Sequence, residues 1–274
     1  MNIKNCFNLK GKVVVITGGA GELCSEMAKA IGDCGGKVVV LDISGEALEK
    51  LSKELKDKSI EHLIIKVDVL NKNSVEEAAK KIVNKFERVD ILINGAGGNI
   101  PEATTDSEHS FLELNLKNVE SAFNLNFIGT FLASQVFGKI FAKQGEGVII
   151  NISSISAFTP LTRIPVYSAA KAAVSNFTKW LAVHMSNNYS TKIRVNAIAP
   201  GFILTKQNRY LLIDEGTGKL TDRGKKIIEH TPMGRFGESE DLISTVLWLI
   251  SPGSEFVHGA IIPVDGGFSS FSGV

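Results

Sequence analysis

The chain has 274 residues, 44% of them hydrophobic and 22% charged, which is ample material for a core and excludes a disordered polyelectrolyte. A formal net charge of +1 gives no field for gathering nucleic acid, no apolar run approaches the ~18 residues of a membrane span, and residues 1–5 lack a hydrophobic signal core. Three cysteines (Cys6, Cys24, Cys34) without CxxC or metal-ligand spacing fit a reducing, cytoplasmic setting with neither a disulfide framework nor a metal site.

Short apolar runs alternate with helix-length amphipathic segments. Strands are predicted at 12–17, 37–42, 61–67, 91–94, 148–153, 194–199 and 261–264, most of them rich in Val and Ile and nearly continuous in apolar character, as buried parallel strands are. Helices are predicted at 22–31, 45–57, 74–86, 167–185 and 238–250. This alternation argues for a doubly wound α/β sheet. No linker or low-complexity tract interrupts it, so residues 1–274 read as one domain. Two segments break the rhythm: 98–123 reads as a long loop with a short helix, and 202–236 as a mobile flap. Long loops at the carboxyl ends of parallel strands are where ligands bind.

The first strand, Val13-Val14-Val15-Ile16-Thr17, runs into Gly18, Gly19 and Gly21, and Glu22 and Leu23 open the following helix. Glycines let backbone approach a pyrophosphate, and a helix amino terminus offers unpaired N–H groups and the positive end of a dipole. Asp42 ends the second strand, where a carboxylate can accept both ribose hydroxyls and repel a 2′-phosphate. Ile43, Ser44 and Gly45 follow without an arginine, which favours NAD over NADP. The alternative for Asp42 is the N-cap of the next helix. Asp68, with Val69 after it, closes the third strand and suits an adenine amino group.

Tyr167 and Lys171 are four residues apart, hence on one face of a helix about a turn from each other. A fixed cation beside a phenol favours the phenolate and brings a proton donor–acceptor towards working pH. Ser154 follows the apolar run that ends at Ser153, so its hydroxyl is expected at the carboxyl end of a buried strand. His109, His184 and His230 are scattered without ligand spacing and imply no metal.

Together these residues resemble the short-chain dehydrogenase/reductase family along essentially the whole chain. Asn94-Gly95-Ala96-Gly97 is similar to the family's NAG motif beneath the adenine, and Asn126 sits where the family has its fourth catalytic residue. The stretch 194–201, ending in Pro200 and Gly201 and followed by Ile203 and Thr205, resembles the segment facing the nicotinamide carboxamide. The resemblance implies a Rossmann-type seven-stranded parallel sheet with helices on both faces, bound NAD(H), and a homodimer or homotetramer. It also implies catalysis by Ser154, Tyr167, Lys171 and Asn126, the last anchoring a water in a proton path. One departure stands out: Glu22 and Cys24 occupy positions where the family fingerprint has glycines. Glu22 would repel a pyrophosphate unless turned away, and Cys24 is read as a packing residue.

Within the family, stretches 94–99, 157–165, 200–209, 230–237 and 263–268 are similar to the fructuronate reductases of hexuronate catabolism. That resemblance implies a sugar-acid substrate, which needs a cation for its carboxylate. Arg163 and Arg209 are the candidates, each with the alternative of a solvent-facing or interface residue. Asn99, Ser156, Gln207 and Asn208 are candidates for hydroxyl contacts. Reductases of neutral polyols, gluconate-type acids or hydroxyacyl thioesters are rival readings, as is a NAD-binding regulator, although that would be expected to lack Tyr167 or Lys171.

Overall fold

The computed structural model describes residues 7–107, 109–206 and 208–273. Seven parallel strands form a single sheet in the order β3-β2-β1-β4-β5-β6-β7. They are β1 Val13–Thr17, β2 Lys37–Asp42, β3 His62–Lys66, β4 Ile91–Asn94, β5 Gly147–Ile152, β6 Ile193–Pro200 and β7 Ile261–Val264. β-branched residues pack well on a pleated surface covered on both sides, so the inner strands read as unbroken apolar runs. Successive side chains still alternate between faces. Val14, Ile16, Val38 and Val40 join one core with α1 Glu22–Asp33, α2 Gly45–Asp57 and α9 Ile243–Ile250. Val13, Val15, Val39 and Leu41 join the other with α3 Lys72–Phe86, α5 Gly129–Gln144 and α6 Pro165–Asn188.

The strand order reverses between β1 and β4, so their carboxyl ends flank the crevice in which doubly wound sheets bind ligands. The loops leaving these two strands touch. A Cβ on Gly18, whose φ is +60°, would lie 2.6 Å from Ala96 Cα. Only glycine adopts that backbone readily and permits that approach.

Segment 98–123 differs from the expected loop. Two short 3₁₀ turns precede α4 Leu116–Phe123, which continues through a π-helical turn, Asn124–Ile128, into α5. The resulting 29-residue helix is long and apolar enough to span a membrane, contrary to the expectation that no stretch approaches that length. Half of its most apolar window is buried, and Phe137 and Phe141 pack into the core beside the sheet, which accounts for the apolar character without a bilayer. Residues 202–236 carry α7 Arg209–Leu212 and α8 Asp222–Glu229. Ile227 of α8 and Leu212 of α7 cluster with Ile155, the neighbour of Ser154, and with Phe268 of the carboxyl tail. The tail folds back on its own chain: the His230 ring lies 4.7 Å from that of Phe268 and 5.2 Å from that of Phe271.

Candidate active site

At the crevice, α1 begins without a side-chain cap: Gly21 is its extended N-cap residue. By contrast, Ser44 caps α2, Asn71 caps α3 and Thr221 caps α8. Among the described residues, the N–H groups of Glu22 and Leu23 have no partner. A twelve-residue helix whose first turn is free in this way, behind a glycine turn, suits a pyrophosphate. Glu22 is turned away from that end, since its carboxylate accepts the Lys206 N–H at 2.8 Å and ties the flap to α1. Cys24 is buried beneath Gly95, where an added Cβ would strike its sulfur. Burial, aided by Asp42, pushes its thiol up to about 12, so it is inert packing.

Asp42 accepts the Ala20 N–H at 3.1 Å on one oxygen and the Ser44 N–H at 3.0 Å on the other. It is therefore not the cap of α2, which is Ser44, and each oxygen keeps acceptor capacity for a ribose hydroxyl. Asp42 forms no ion pair among the described residues. Asp68 is exposed, two residues past β3, and accepts the Leu70 N–H at 2.9 Å. The Val69 side chain packs against Gly129. These features fit a dinucleotide laid from Asp42 across the α1 terminus.

The side chain of Asn94 does not face the crevice. Its amide donates to Ser134 Oγ at 2.9 Å and Asn151 Oδ1 at 2.8 Å, and Asn151 donates to Thr178 at 2.8 Å. This buried chain joins β4, β5, α5 and α6, leaving Gly95 and Ala96 to present backbone. Pro200 ends β6, and Gly201 packs against Asp265, where an added Cβ would come within 2.6 Å. Ile203 is buried, and Thr205 opens a turn closed by Asn208.

The catalytic candidates converge. Ser154 stands just past β5 and accepts the Ser156 N–H at 3.2 Å. Tyr167 and Lys171 share one face of α6, with Lys171 Nζ 5.5 Å from the tyrosine ring centroid. Ser153, which sequence reasoning passed over, fixes the helix: its hydroxyl donates to the Lys171 carbonyl at 3.2 Å and pairs with Ser175 at 2.6 Å. The ammonium donates to the Ile152 carbonyl at 2.9 Å. Burial lowers the Lys171 pKa to about 8. The expected lowering of the tyrosine pKa by Lys171 is not what the environment does. Burial pushes the phenol up, and the opposing influence is a hydrogen bond with Ser154. The cation lies over the ring face and is committed to a carbonyl, which weakens its pull on the hydroxyl.

Asn126 lies fully buried in the π-turn. Its amide nitrogen donates to Gly98 O at 2.8 Å and Ala122 O at 2.9 Å, and its oxygen accepts the Gly98 N–H at 3.0 Å. Both donors are used on backbone, so the side chain clamps the loop after β4, and only its oxygen keeps capacity, as an acceptor. That loop closes on the lysine: a Cβ on Gly97 would lie 2.7 Å from Asn126 Oδ1 and 3.2 Å from Lys171 Nζ.

Among the substrate candidates, Asn99 is exposed, and Ser156 is buried with its hydroxyl unpartnered. Gln207 lies outside the described residues. Asn208 is committed to its own turn, accepting the Thr205 N–H and donating to Ile203 O, each at 2.8 Å. Arg209 is exposed at the start of α7. Arg163 is exposed with a φ of +75°, its carbonyl accepting the Thr105 N–H at 2.8 Å. Beside it stands Arg223 of α8, which sequence reading missed because α8 resembles a solvated basic helix. Its guanidinium donates to Thr162 Oγ1 at 3.4 Å.

Residues 12–215 match the model of the short chain dehydrogenase family, and the chain belongs to that family. It is an oxidoreductase. A crystal structure of a Haemophilus protein, provisionally named a D-mannonate oxidoreductase and holding NAD, superposes with a TM-score of 0.93 at 47% identity, covering 100% of both chains. An uncharacterized oxidoreductase UxuB of Bacillus subtilis is 49% identical over 97% of this chain and 98% of its own. The 2-dehydro-3-deoxy-D-gluconate 5-dehydrogenase of Dickeya dadantii is 35% identical over 97% of this chain and 98% of its own.

Proposed function

We propose that the protein is an NAD(H)-dependent oxidoreductase interconverting D-fructuronate and D-mannonate: D-fructuronate + NADH + H⁺ ⇌ D-mannonate + NAD⁺. The observation that carries this reading is the meeting of Ser154, Tyr167 and Lys171 beside an uncapped α1 and an Asp42 carboxylate without a cation among the described residues. The Haemophilus relative supports both the cofactor and the sugar acid. When bound, the nicotinamide supplies or accepts the hydride. Ser154 donates a hydrogen bond that orients and polarises the ketone oxygen. Tyr167 delivers the proton to that oxygen, and burial keeps it protonated and ready to donate at neutral pH. Lys171 would hold the ribose hydroxyls, and the Gly18–Leu23 turn the pyrophosphate. The Asp42 carboxylate, without a cation beside it, disfavours a 2′-phosphate.

The 35% relationship to a 5-dehydrogenase of a deoxy-gluconate supports a second reading, the reduction of a different sugar acid. The exposed Trp180 and Val183 on α6, beside buried Phe177 and Leu181, support pairing with a second copy of the chain. The deciding assay follows NADH and NADPH oxidation by the purified protein on D-fructuronate, tagaturonate, 5-keto-gluconate and D-fructose. Efficient turnover of D-fructuronate with NADH is expected. Turnover confined to another acid, or to NADPH, would replace the proposal.

A further inference from the structure

A sugar-acid reductase must hold a carboxylate and a ketone at opposite ends of one short chain. The second half of that task belongs to cations at a fixed remove from Tyr167. Arg163 precedes Tyr167 by one helical turn of sequence, on the loop between the strand bearing Ser154 and the helix bearing Tyr167. Its backbone is held in the left-handed region at φ +75°, a conformation unfavourable for a residue with a Cβ. The Thr105 N–H fixes that conformation through the Arg163 carbonyl at 2.8 Å.

Arg223 comes to the same place from the flap. α8 turns Ile227 into the cluster with Ile155 and Leu161, and Arg223, four residues earlier, shares that inward face. Its guanidinium reaches Thr162 at 3.4 Å, the residue before Arg163. Neighbouring Lys225 instead pairs outward with Asp222 at 3.2 Å. Neither Arg163 nor Arg223 forms an ion pair with any described residue, whereas Arg88 and Arg235 both do. Burial and the charge of Arg163 both push the Arg223 pKa down, and no carboxylate opposes them. Two neighbouring arginines without a counter-ion suit an anion that presents two oxygens.

We propose that Arg163 and Arg223 form a two-arginine receptor for the substrate's carboxylate, with Arg223 setting the specificity for sugar acids over neutral sugars. The proposal rests on the reading of the enzyme as a sugar-acid reductase. A carboxylate bridging the two guanidiniums relieves their repulsion and pins α8 to the loop before Tyr167. A neutral sugar leaves that repulsion in place, so the pair selects against it as well as for the acid.

The test uses D-fructuronate and D-fructose, which differ by a carboxylate in place of a hydroxymethyl group, with NADH and the full chain. In R223Q the KM for D-fructuronate should rise about 10- to 100-fold while kcat stays within a few-fold, as expected for one lost charge-assisted contact. The KM for D-fructose should stay level or fall. R163Q should behave alike, and the double variant should lose less than the product of the two single losses. R223K, which keeps the charge but not the fork, should fall between wild type and R223Q. K226Q, an exposed charge on the same helix, should match wild type. An unchanged KM for D-fructuronate in R223Q, or equal rises for both sugars, overturns the receptor.

If R223Q does not fold, R223K carries the test, and a KM for D-fructuronate equal to that of wild type overturns the receptor. If the wild type ignores D-fructuronate, the functional reading fails by itself. The receptor is then judged by calorimetric titration of D-mannonate against D-mannitol in the presence of NAD⁺. Tighter binding of the acid that R223Q abolishes supports it, and equal binding of the two ligands refutes it.

Discussion

Around the crevice between β1 and β4, polar side chains are already tied to neighbouring backbone. Asp42 holds Ala20 and Ser44, Asn126 holds Gly98 and Ala122, and Glu22 holds Lys206. Around the flap, Arg223 reaches the residue before Arg163, neither arginine has a counter-charge among the described residues, and the buried hydroxyl of Ser156 has no partner. The first region is a finished surface whose shape comes from strand ends and close backbone contacts. The second holds charge without a counter-charge and a buried hydroxyl without a partner, as a surface completed by a ligand would. A dinucleotide is the same molecule in every turnover and suits a rigid bed, whereas a substrate must be chosen among similar molecules. Tyr167 and Lys171 lie where the two regions meet.

The strongest way to break this contrast is at the junction. Tyr167→Phe should lower kcat by about 10²–10⁴, the usual contribution of a positioned acid–base group, while NADH titrated by fluorescence still binds. Near-normal turnover would remove the phenol from the chemistry. The rigid bed itself is tested by Gly18→Ala, whose new Cβ would sit 2.6 Å from Ala96 Cα at a φ of +60°. Backbone strain and steric overlap should lower stability by about 1–3 kcal/mol in urea unfolding. An unchanged midpoint would mean that the two loops do not bear on each other.

Lys171 sharpens the comparison through pH. Its folded pKa of about 8 lies below the ordinary 10.5, so between those values the unfolded chain binds more protons and stability rises with pH. Below about 8 both states are protonated and the full penalty of burying the charge remains. Cys24, pushed up to about 12 from 9.0, acts in the opposite sense above pH 9. The stability of wild type relative to Lys171→Met isolates the lysine. It should climb from pH 8 towards 10.5 with a slope of at most about 1.4 kcal/mol per pH unit. A flat difference would show that burial does not perturb the ammonium. The smallest effect is expected from Glu22→Gln, which weakens the tie to Lys206 N. Limited proteolysis within 202–236 should quicken about 2- to 10-fold, in line with one weakened hydrogen bond to a charged acceptor. No change would mean that the flap is held by its apolar cluster alone.

Much of the fold was legible along the chain. β2, β4, β7 and α2 have the bounds that the apolar patterning predicts, because a buried parallel strand and an amphipathic helix leave clear periodicities. Helix 116–144 was not legible: Asn and Lys residues interrupt its apolar pattern, and its π-turn shifts the register at Asn126. Among the site residues, the four-residue spacing of Tyr167 and Lys171 placed them on one helix face from sequence. The partners of Asn94, Asn126 and Asn208 could not be read, because an asparagine beside a loop gives no sign of which backbone it will hold. Arg223 lies 60 residues beyond Arg163, and only the inward turn of α8 brings them together.

The sequence by itself determined the alternation of strands and helices, the glycine turn behind β1, and the presence of a serine, a tyrosine and a lysine at workable spacings. These depend on local periodicity and backbone freedom, which short stretches of chain specify. The tertiary structure decided the electrostatics: that burial outweighs the Ser154 hydrogen bond at Tyr167, that Glu22 faces the flap, and that two arginines are neighbours. Desolvation and charge–charge forces depend on distances between remote segments, and those distances exist only once both faces of the sheet are covered.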